Sequence, residues 1–416
     1  MNSSEQVLIK PYSISQWLKI INALFLIAGT CIGGGMLALP ILSSTSGFWP
    51  SVMVMFLTCI FMTMTGLLFL EATLWMKKGS HVISLSKELL NQFGQVVCWI
   101  VYLFIGYASL IAYTSGGGKE ISFVITKILH FSFSDNLGAF AFLISFGGII
   151  YLGHRIVERV NTILFISMMM AYVFMLSLAP NEIQSHLLER QDWNANHLFL
   201  LVPLMLATFS FPGIVPTIVP YLNRDVKSIR IAIIGGTSLT FIIYVIWLLI
   251  VLGTVPHEGA YGLKEALICD IPATECLHYA TQSPLFSYIA QFFAFFALTT
   301  SFLGIALALF DFLSDGLKIS KKGKGKLVLS LLIAIPTLFF ASYFQRIFLI
   351  ALELTGGIGD AIISGLIPAM MVWKGRYKLS KKGEYQVMGG KPLLVFICLT
   401  SASILTYEII KVFFNF

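Results

Sequence analysis

Two carboxylates stand in a stretch of the chain that is otherwise apolar, Glu353 and Asp360, seven residues apart within segment 346–373. At 3.6 residues per turn this spacing is about two turns, which predicts that both lie on one face of a helix. An ionisable group inside a membrane-length apolar segment is costly to keep there, so function is its default explanation. The chemistry open to a carboxyl held out of water is proton carriage, because a low dielectric favours its neutral form. Glu71, Glu120 and Asp311 are further acidic residues within or near apolar segments, and Lys119 beside Glu120 predicts a local ion pair near one surface.

The second chemistry is that of exposed backbone. Gly29-Thr30-Cys31-Ile32-Gly33-Gly34-Gly35, followed by Pro40, interrupts the first apolar segment, and Phe209-Ser210-Phe211-Pro212-Gly213, followed by Pro216 and Pro220, interrupts the sixth. Glycine leaves backbone entropy high, and proline removes a donor and clashes with the preceding turn. Inside a bilayer the freed groups need new partners, so irregular backbone is tolerated only where it is buried in protein or lines a polar cavity. A free half-helix N-terminus suits an anion, and a free half-helix C-terminus suits a cation. Thr299, Thr300 and Ser301 add three hydroxyls in the eighth segment. Such oxygens suit a hard cation, and equally they bond their own helix backbone.

Enzyme chemistry is poorly represented. The seven histidines are scattered, and neither a His-Glu-x-x-His pattern nor a nucleophile elbow is present. No nucleotide-binding signature occurs, and neither a cofactor nor a metal is expected.

The elements that must position these groups follow from composition. The 416 residues are 57% hydrophobic and only 11% charged, whereas a soluble domain carries roughly 25% charged residues. Spanning the hydrocarbon core takes about 20 mainly apolar residues, and eleven such segments are legible: 17–42, 48–76, 95–127, 137–153, 156–179, 197–222, 228–254, 283–315, 327–342, 346–373 and 391–414. Segment 80–93 reads as a short amphipathic surface helix between the second and third spans. The first segment is too long and too poorly followed by a cleavage site to read as a signal peptide.

The formal net charge of +7 suggests acidic partners, but the positions of the charges argue for topology instead. With the N-terminus inside, the cytoplasmic connections hold Lys10, Lys19, Lys77, Lys78, Lys87, Arg155, Arg159, Arg224, Lys227, Arg230, Lys318, Lys321, Lys322, Lys324, Lys326 and a last cluster from Lys374 to Lys391. The other side holds Lys127, Arg190, Lys264, Arg346 and Lys411. That bias is the positive-inside rule, and it excludes a nucleic-acid role. It places the N-terminus in the cytoplasm and the C-terminus outside. Cys269 and Cys276 share the predicted outer loop 255–282, where a disulfide is compatible with the compartment but not established by spacing.

The two breaks lie five spans apart. An odd repeat length inverts topology, so the spacing predicts a first five-helix repeat in 1–179, an inverted second repeat in 197–373, and an extra helix at 391–414, all in one transmembrane domain. This is the leucine-transporter type of architecture, an all-α membrane fold in which substrate binds where two broken helices meet. A channel would instead need a continuous polar pore.

Five stretches also resemble the bacterial aromatic amino-acid permeases, relatives of the amino acid–polyamine–organocation transporters. They are GTCIGGGMLALP from Gly29 to Pro40, FSFPGIVPTIVP from Phe209 to Pro220, Ile229 to Gly253 around Tyr244-Val245-Ile246-Trp247, TSFLGIALALFDFLSD from Thr300 to Asp315, and YQVMGGKP from Tyr385 to Pro392. The Met-Leu-Ala-Leu-Pro form is most similar to the tyrosine-specific branch. The resemblance implies a secondary transporter of the bacterial inner membrane, importing an aromatic amino acid by proton symport. A sodium-coupled symporter of other neutral amino acids is the alternative. An amino acid brings a carboxylate and an ammonium, which assigns the candidate substrate site to Ala28, Gly29, Thr30, Gly33, Gly34, Gly35, Phe209, Ser210, Phe211 and Gly213. In transporters of this fold a third-helix tyrosine often faces the substrate, which implies Tyr113; an interfacial belt tyrosine is the other reading. Thr300, Ser301, Glu353 and Asp360 are the ion-coupling candidates. The chain departs from the family where Gly34 replaces an alanine-like residue, where Pro212 replaces a histidine, and where Glu353 and Asp360 replace neutral residues.

Overall fold

The computed structural model describes residues 13–76, 81–129, 132–281, 283–344 and 347–414. Lys10, Lys77, Lys78 and Arg346 lie outside them. Among the described residues, eleven helices are long and apolar enough to cross a membrane. Span one is α1 (Ile14–Cys31) continued by α2 (Gly34–Ser43), and spans two to five are α3 (Phe48–Leu74), α4 (Val82–Leu129), α5 (Asp135–Leu152) and α6 (His154–Leu178). Span six is α7 (Ala195–Thr208) with α8 (Val215–Tyr221), and span seven is α9 (Val226–Thr254). Short helices α10 (Leu263–Cys269) and α11 (Ala273–Ala280) fill the next loop, before spans eight and nine, α12 (Pro284–Leu317) and α13 (Gly323–Tyr343). Span ten comprises α14 (Ile347–Leu354), a π-helical stretch Thr355–Leu366 and α15 (Ile367–Tyr377), and span eleven is α16 (Gly390–Phe414).

Several ends are set by local chemistry. Ser13 caps α1 in a reciprocal box with Gln16, Ser134 accepts from Leu137 N at the start of α5, and Asp225 accepts from Ser228 N at the start of α9. These side chains take N–H groups that a helix start leaves unpaired. Asn91, at φ 70° and ψ −170°, bends α4 and separates the amphipathic turns 82–90 from the span proper. Spans two, six, eight and ten are the most enclosed, while spans five and nine turn large apolar side chains such as Val173, Phe174, Ile335 and Phe339 outward. That division fits an inner set of helices carrying the polar groups and an outer set facing lipid.

Both ends of the bundle are tied by buried charge. At one end the α10–α11 loop packs on α2 and is held to span three: Lys119 Nζ lies 2.5 Å from Asp270 Oδ2, and Thr274 Oγ1 donates to Glu120 Oε1 at 2.6 Å. Lys119 therefore pairs across the loop rather than with its sequence neighbour Glu120. A group of that loop responds: burial, with Asp135 adding to it, pushes the Glu275 carboxyl above its ordinary range. Cys269 and Cys276 are not joined; Cys276 is buried, whereas Cys269 is exposed with its thiol 3.2 Å from Glu265 Oε1. At the opposite end Arg376 of span ten donates Nε and Nη2 to Glu71 of span two at 2.6 and 2.5 Å. Val387 N–H also reaches Glu71, and Arg376 returns a bond to Val387 O, so the 385–392 motif is clamped into the same network.

The π-helical stretch overturns one spacing argument. Hydrogen bonds from i to i+5 widen each turn, so seven residues no longer complete two turns. Glu353 and Asp360 consequently do not share a face: Glu353 meets Lys411 of span eleven, and Asp360 meets Ser210 of span six.

Candidate functional site

The first break is two residues long. Ile32 N–H still reaches Ala28 O, and Gly33 is fully extended at φ −161° before α2 begins at Gly34. Glycine is required here by approach rather than by φ. A Cβ on Gly33 would lie 2.1 Å from Ser301 Oγ, one on Gly34 2.6 Å from the Tyr113 ring, and one on Gly35 3.0 Å from Thr208 Cγ2. Three different spans therefore close on three successive glycines. The first N–H of α2, from Gly34, donates to Ser301 Oγ at 3.3 Å. Gly34→Ala is expected to displace the Tyr113 ring and lower transport about tenfold, the equivalent of about 1.4 kcal/mol, read as initial uptake at matched protein level.

The second break spans Phe209 to Phe211, with Phe211 N–H turned back to Phe209 O at 2.8 Å. Its Ser210 hydroxyl donates to Asp360 Oδ1 at 2.6 Å, and Ser364 donates to the same oxygen at 2.7 Å. Asp360 is buried, and its Oδ2 has no partner. Tyr113 lies close to both Ser301 and Asp360. One side chain joins the two breaks directly. Tyr244 Oη lies 2.6 Å from Cys31 O and 2.9 Å from Thr208 O, the last carbonyls before each interruption. Trp247, three residues on, donates Nε1–H to Met36 O at 2.9 Å.

The structure thus brings together Gly33, Gly34, Gly35, Tyr113, Phe209, Ser210, Ser301 and Asp360, with Ala28 buried in the turn before the break. It sets others apart. Gly29 faces Phe165 of α6, and Thr30 is exposed with its hydroxyl bonded to Leu26 O. Phe211 packs on Gly66 of span two, and Gly213 faces open space. Thr300 bonds Phe296 O and Ala297 O of its own helix, so of the span-eight hydroxyls Ser301 alone is seen to reach the break. Phe209, at the second break, stacks edge-on against Tyr244 at 5.4 Å. Tyr244, Trp247 and Ser364 were missed as site residues. The i, i+3 spacing of Tyr244 and Trp247 on span seven was the available signal.

The sequence matches the tryptophan/tyrosine permease family over residues 17–407. The chain belongs to that family. Among relatives of this permease, tyrosine-specific transport system 1 of Haemophilus influenzae is 30% identical over 91% of this chain and 94% of its own length. The tryptophan-specific transport protein of the same organism is 30% identical, with coverages of 92% and 93%. A solved structure, MhsT in complex with L-phenylalanine, superposes with a TM-score of 0.65 at 14% identity, covering 95% of this chain and 98% of that one. That likeness fixes the permease fold as the leucine-transporter type. Its two interrupted spans meet at the site described above.

Proposed function

We propose that the chain imports an aromatic amino acid, tyrosine foremost, by proton symport with alternating access. The observation that carries the reading is the meeting of both breaks at a buried carboxyl whose second oxygen is unpartnered. The substrate carboxylate takes the first turn of α2 in place of Ser301, and the ammonium takes the Cys31 and Thr208 carbonyls beside Asp360. Tyr113 leaves Gly34 to admit it. The names of the relatives, tyrosine-specific and tryptophan-specific, support an aromatic side chain. Among the described residues the partners of Asp360 are two hydroxyls and no basic group. A carboxylate without a counter-charge is costly in hydrocarbon, so Asp360 is the natural carrier of the coupled proton. Residues 1–179 and 197–373 act as the two repeats that rock about the breaks, with 391–414 added. The permease sits in the bacterial inner membrane with its N-terminus cytoplasmic and its C-terminus outside, in line with the basic residues of its loops.

Labelled tyrosine uptake into vesicles tests this. An inward proton gradient without sodium is expected to drive accumulation, and a protonophore to abolish it. Uptake that needs sodium and ignores the protonophore would establish the sodium alternative instead. If tyrosine, tryptophan and phenylalanine all failed to compete, the substrate reading would fall and the fold would stand.

A further inference from the structure

Away from the breaks, span eleven carries charge that the site does not use. Lys411 Nζ pairs with Glu353 Oε2 of span ten. One turn earlier on the same helix stands Glu408, 2% exposed, with an Oε2 that has no partner and no access to solvent. Glu408 packs onto the π-helical stretch, where a Cβ on Gly357 would lie 2.7 Å from its Cγ and 2.9 Å from Oε2. The ionisable groups facing Glu408 are Lys411 and Tyr407 of its own helix and Glu353 of span ten. From α7 the Phe199 ring packs on Tyr407 at 4.8 Å. Asp360, three residues past Gly357, is engaged with Ser210 and Ser364.

Two carboxylates therefore stand beside one ammonium between spans ten and eleven. With Lys411 on Glu353 that pair is neutral, and an ionised Glu408 would add an uncompensated charge that hydrocarbon penalises heavily. The ligand that removes the charge must be very small, because Oε2 is closed off. A metal ion needs several oxygen ligands, and among the described residues no group of three or more acidic, His or Cys side chains is placed to hold one. We propose that Glu408 is a proton-binding site on span eleven, separate from the two breaks, whose occupancy decides which carboxylate holds Lys411. With the proton on, Lys411 ties span eleven to Glu353, immediately before the π-helical stretch that carries Asp360. With the proton off, Glu408 competes for Lys411 at the i, i+3 spacing and loosens that tie. The link to coupling rests on the proton-symport reading; the site itself does not.

Infrared spectroscopy of the full chain in lipid vesicles, without substrate, reads the C=O stretch of protonated carboxyls as pH is stepped. Asp360→Asn removes the contribution of Asp360. A band that persists in this variant, fades as pH rises, and loses intensity in Asp360→Asn/Glu408→Gln, where Glu275 and the other carboxyls still contribute, is the expected result. Lys411→Met provides a second reading if Glu408→Gln does not fold: with its cation gone Glu353 takes a proton too, and the band gains intensity. A band that Glu408→Gln leaves unchanged, no titrating band in Asp360→Asn, or no gain in Lys411→Met each overturns the site. In uptake, Glu408→Gln is expected to make the alkaline fall shallower than in the wild type, leaving the one-proton limb of Asp360, which approaches about tenfold per pH unit. A wild-type alkaline limb in that variant overturns the role. Protonophore-insensitive uptake with the infrared result intact would sink the symport reading alone.

Discussion

Arg376→Met is expected to lower stability by about 3–5 kcal/mol, the cost typical of breaking a buried ion pair from one side. Arg376 and Glu71 are 5% and 1% exposed, so water cannot stand in for the missing guanidinium. The bonds are bidentate and charge-assisted, which makes their loss larger than that of a surface pair. More than two helices depend on them. Glu71 accepts Val387 N–H, and Arg376 donates to Val387 O, so the turn before span eleven loses its anchor as well. Nearby, Arg224 reaches Leu74 O and Met76 O at the end of α3, and the Arg230 guanidinium lies over the Tyr385 ring at 5.4 Å. These contacts do not reach the Glu71 carboxylate and cannot neutralise it. The measurement is thermal unfolding of detergent-purified protein followed by retained monodispersity. The double variant Glu71→Leu/Arg376→Met is expected to recover most of the loss, because removing both charges leaves no buried ion behind. Equal losses in the single and double variants would show that packing, not charge, holds this end together.

The spans and their breaks were legible in the sequence because both follow from local rules. Apolar length marks the eleven helices, and the clustering of glycine or proline marks Ile32–Gly33 and Phe209–Phe211 as interruptions. The amphipathic turns before Asn91 were legible for the same reason. Rotational position was not. Placing Glu353 and Asp360 on one face assumed 3.6 residues per turn, and the π-helical stretch from Thr355 to Leu366 changes that phase. Within each break, which residues turn inward depends on how the chain leaves the helix, so Ser210 reaches Asp360 while Gly213, three residues on, faces open space. Lys119 was paired by adjacency with Glu120, but neighbours in a helix point in different directions, and Asp270 lies 151 positions away. Tyr244 and the Glu353–Lys411 pair act through contacts of the same long-range kind, with no local spacing that names their partners.

Tyr244→Phe is expected to reduce transport about 10- to 100-fold while leaving the protein folded. Cys31 O and Thr208 O end α1 and α7, and the interruption that follows each helix removes the N–H that would have met them. In the bilayer interior neither has water as a substitute, and Tyr244, fully buried, places one hydroxyl between both. A hydroxyl carries a single proton, so it is shared between two acceptors and neither is fully satisfied. That leaves acceptor capacity for an ammonium at the junction of the two half-helices, held in place without being quenched. Removing the hydroxyl leaves two buried carbonyls unpaired, at about 1–3 kcal/mol each, and frees the breaks to shift relative to each other. The ring remains, so the contact with Phe209 and the packing around Trp247 persist, which is why folding survives. A structural role alone would lower stability and leave the substrate terms unchanged. The role argued here predicts a weaker apparent affinity for the amino acid together with a slower maximal rate, and a smaller penalty for a substrate analogue lacking the ammonium than for the amino acid itself. Initial-rate uptake across a concentration series, with competition by that analogue, measures both. A Tyr244→Phe protein with unchanged affinity and an unchanged preference for the ammonium would remove Tyr244 from the site.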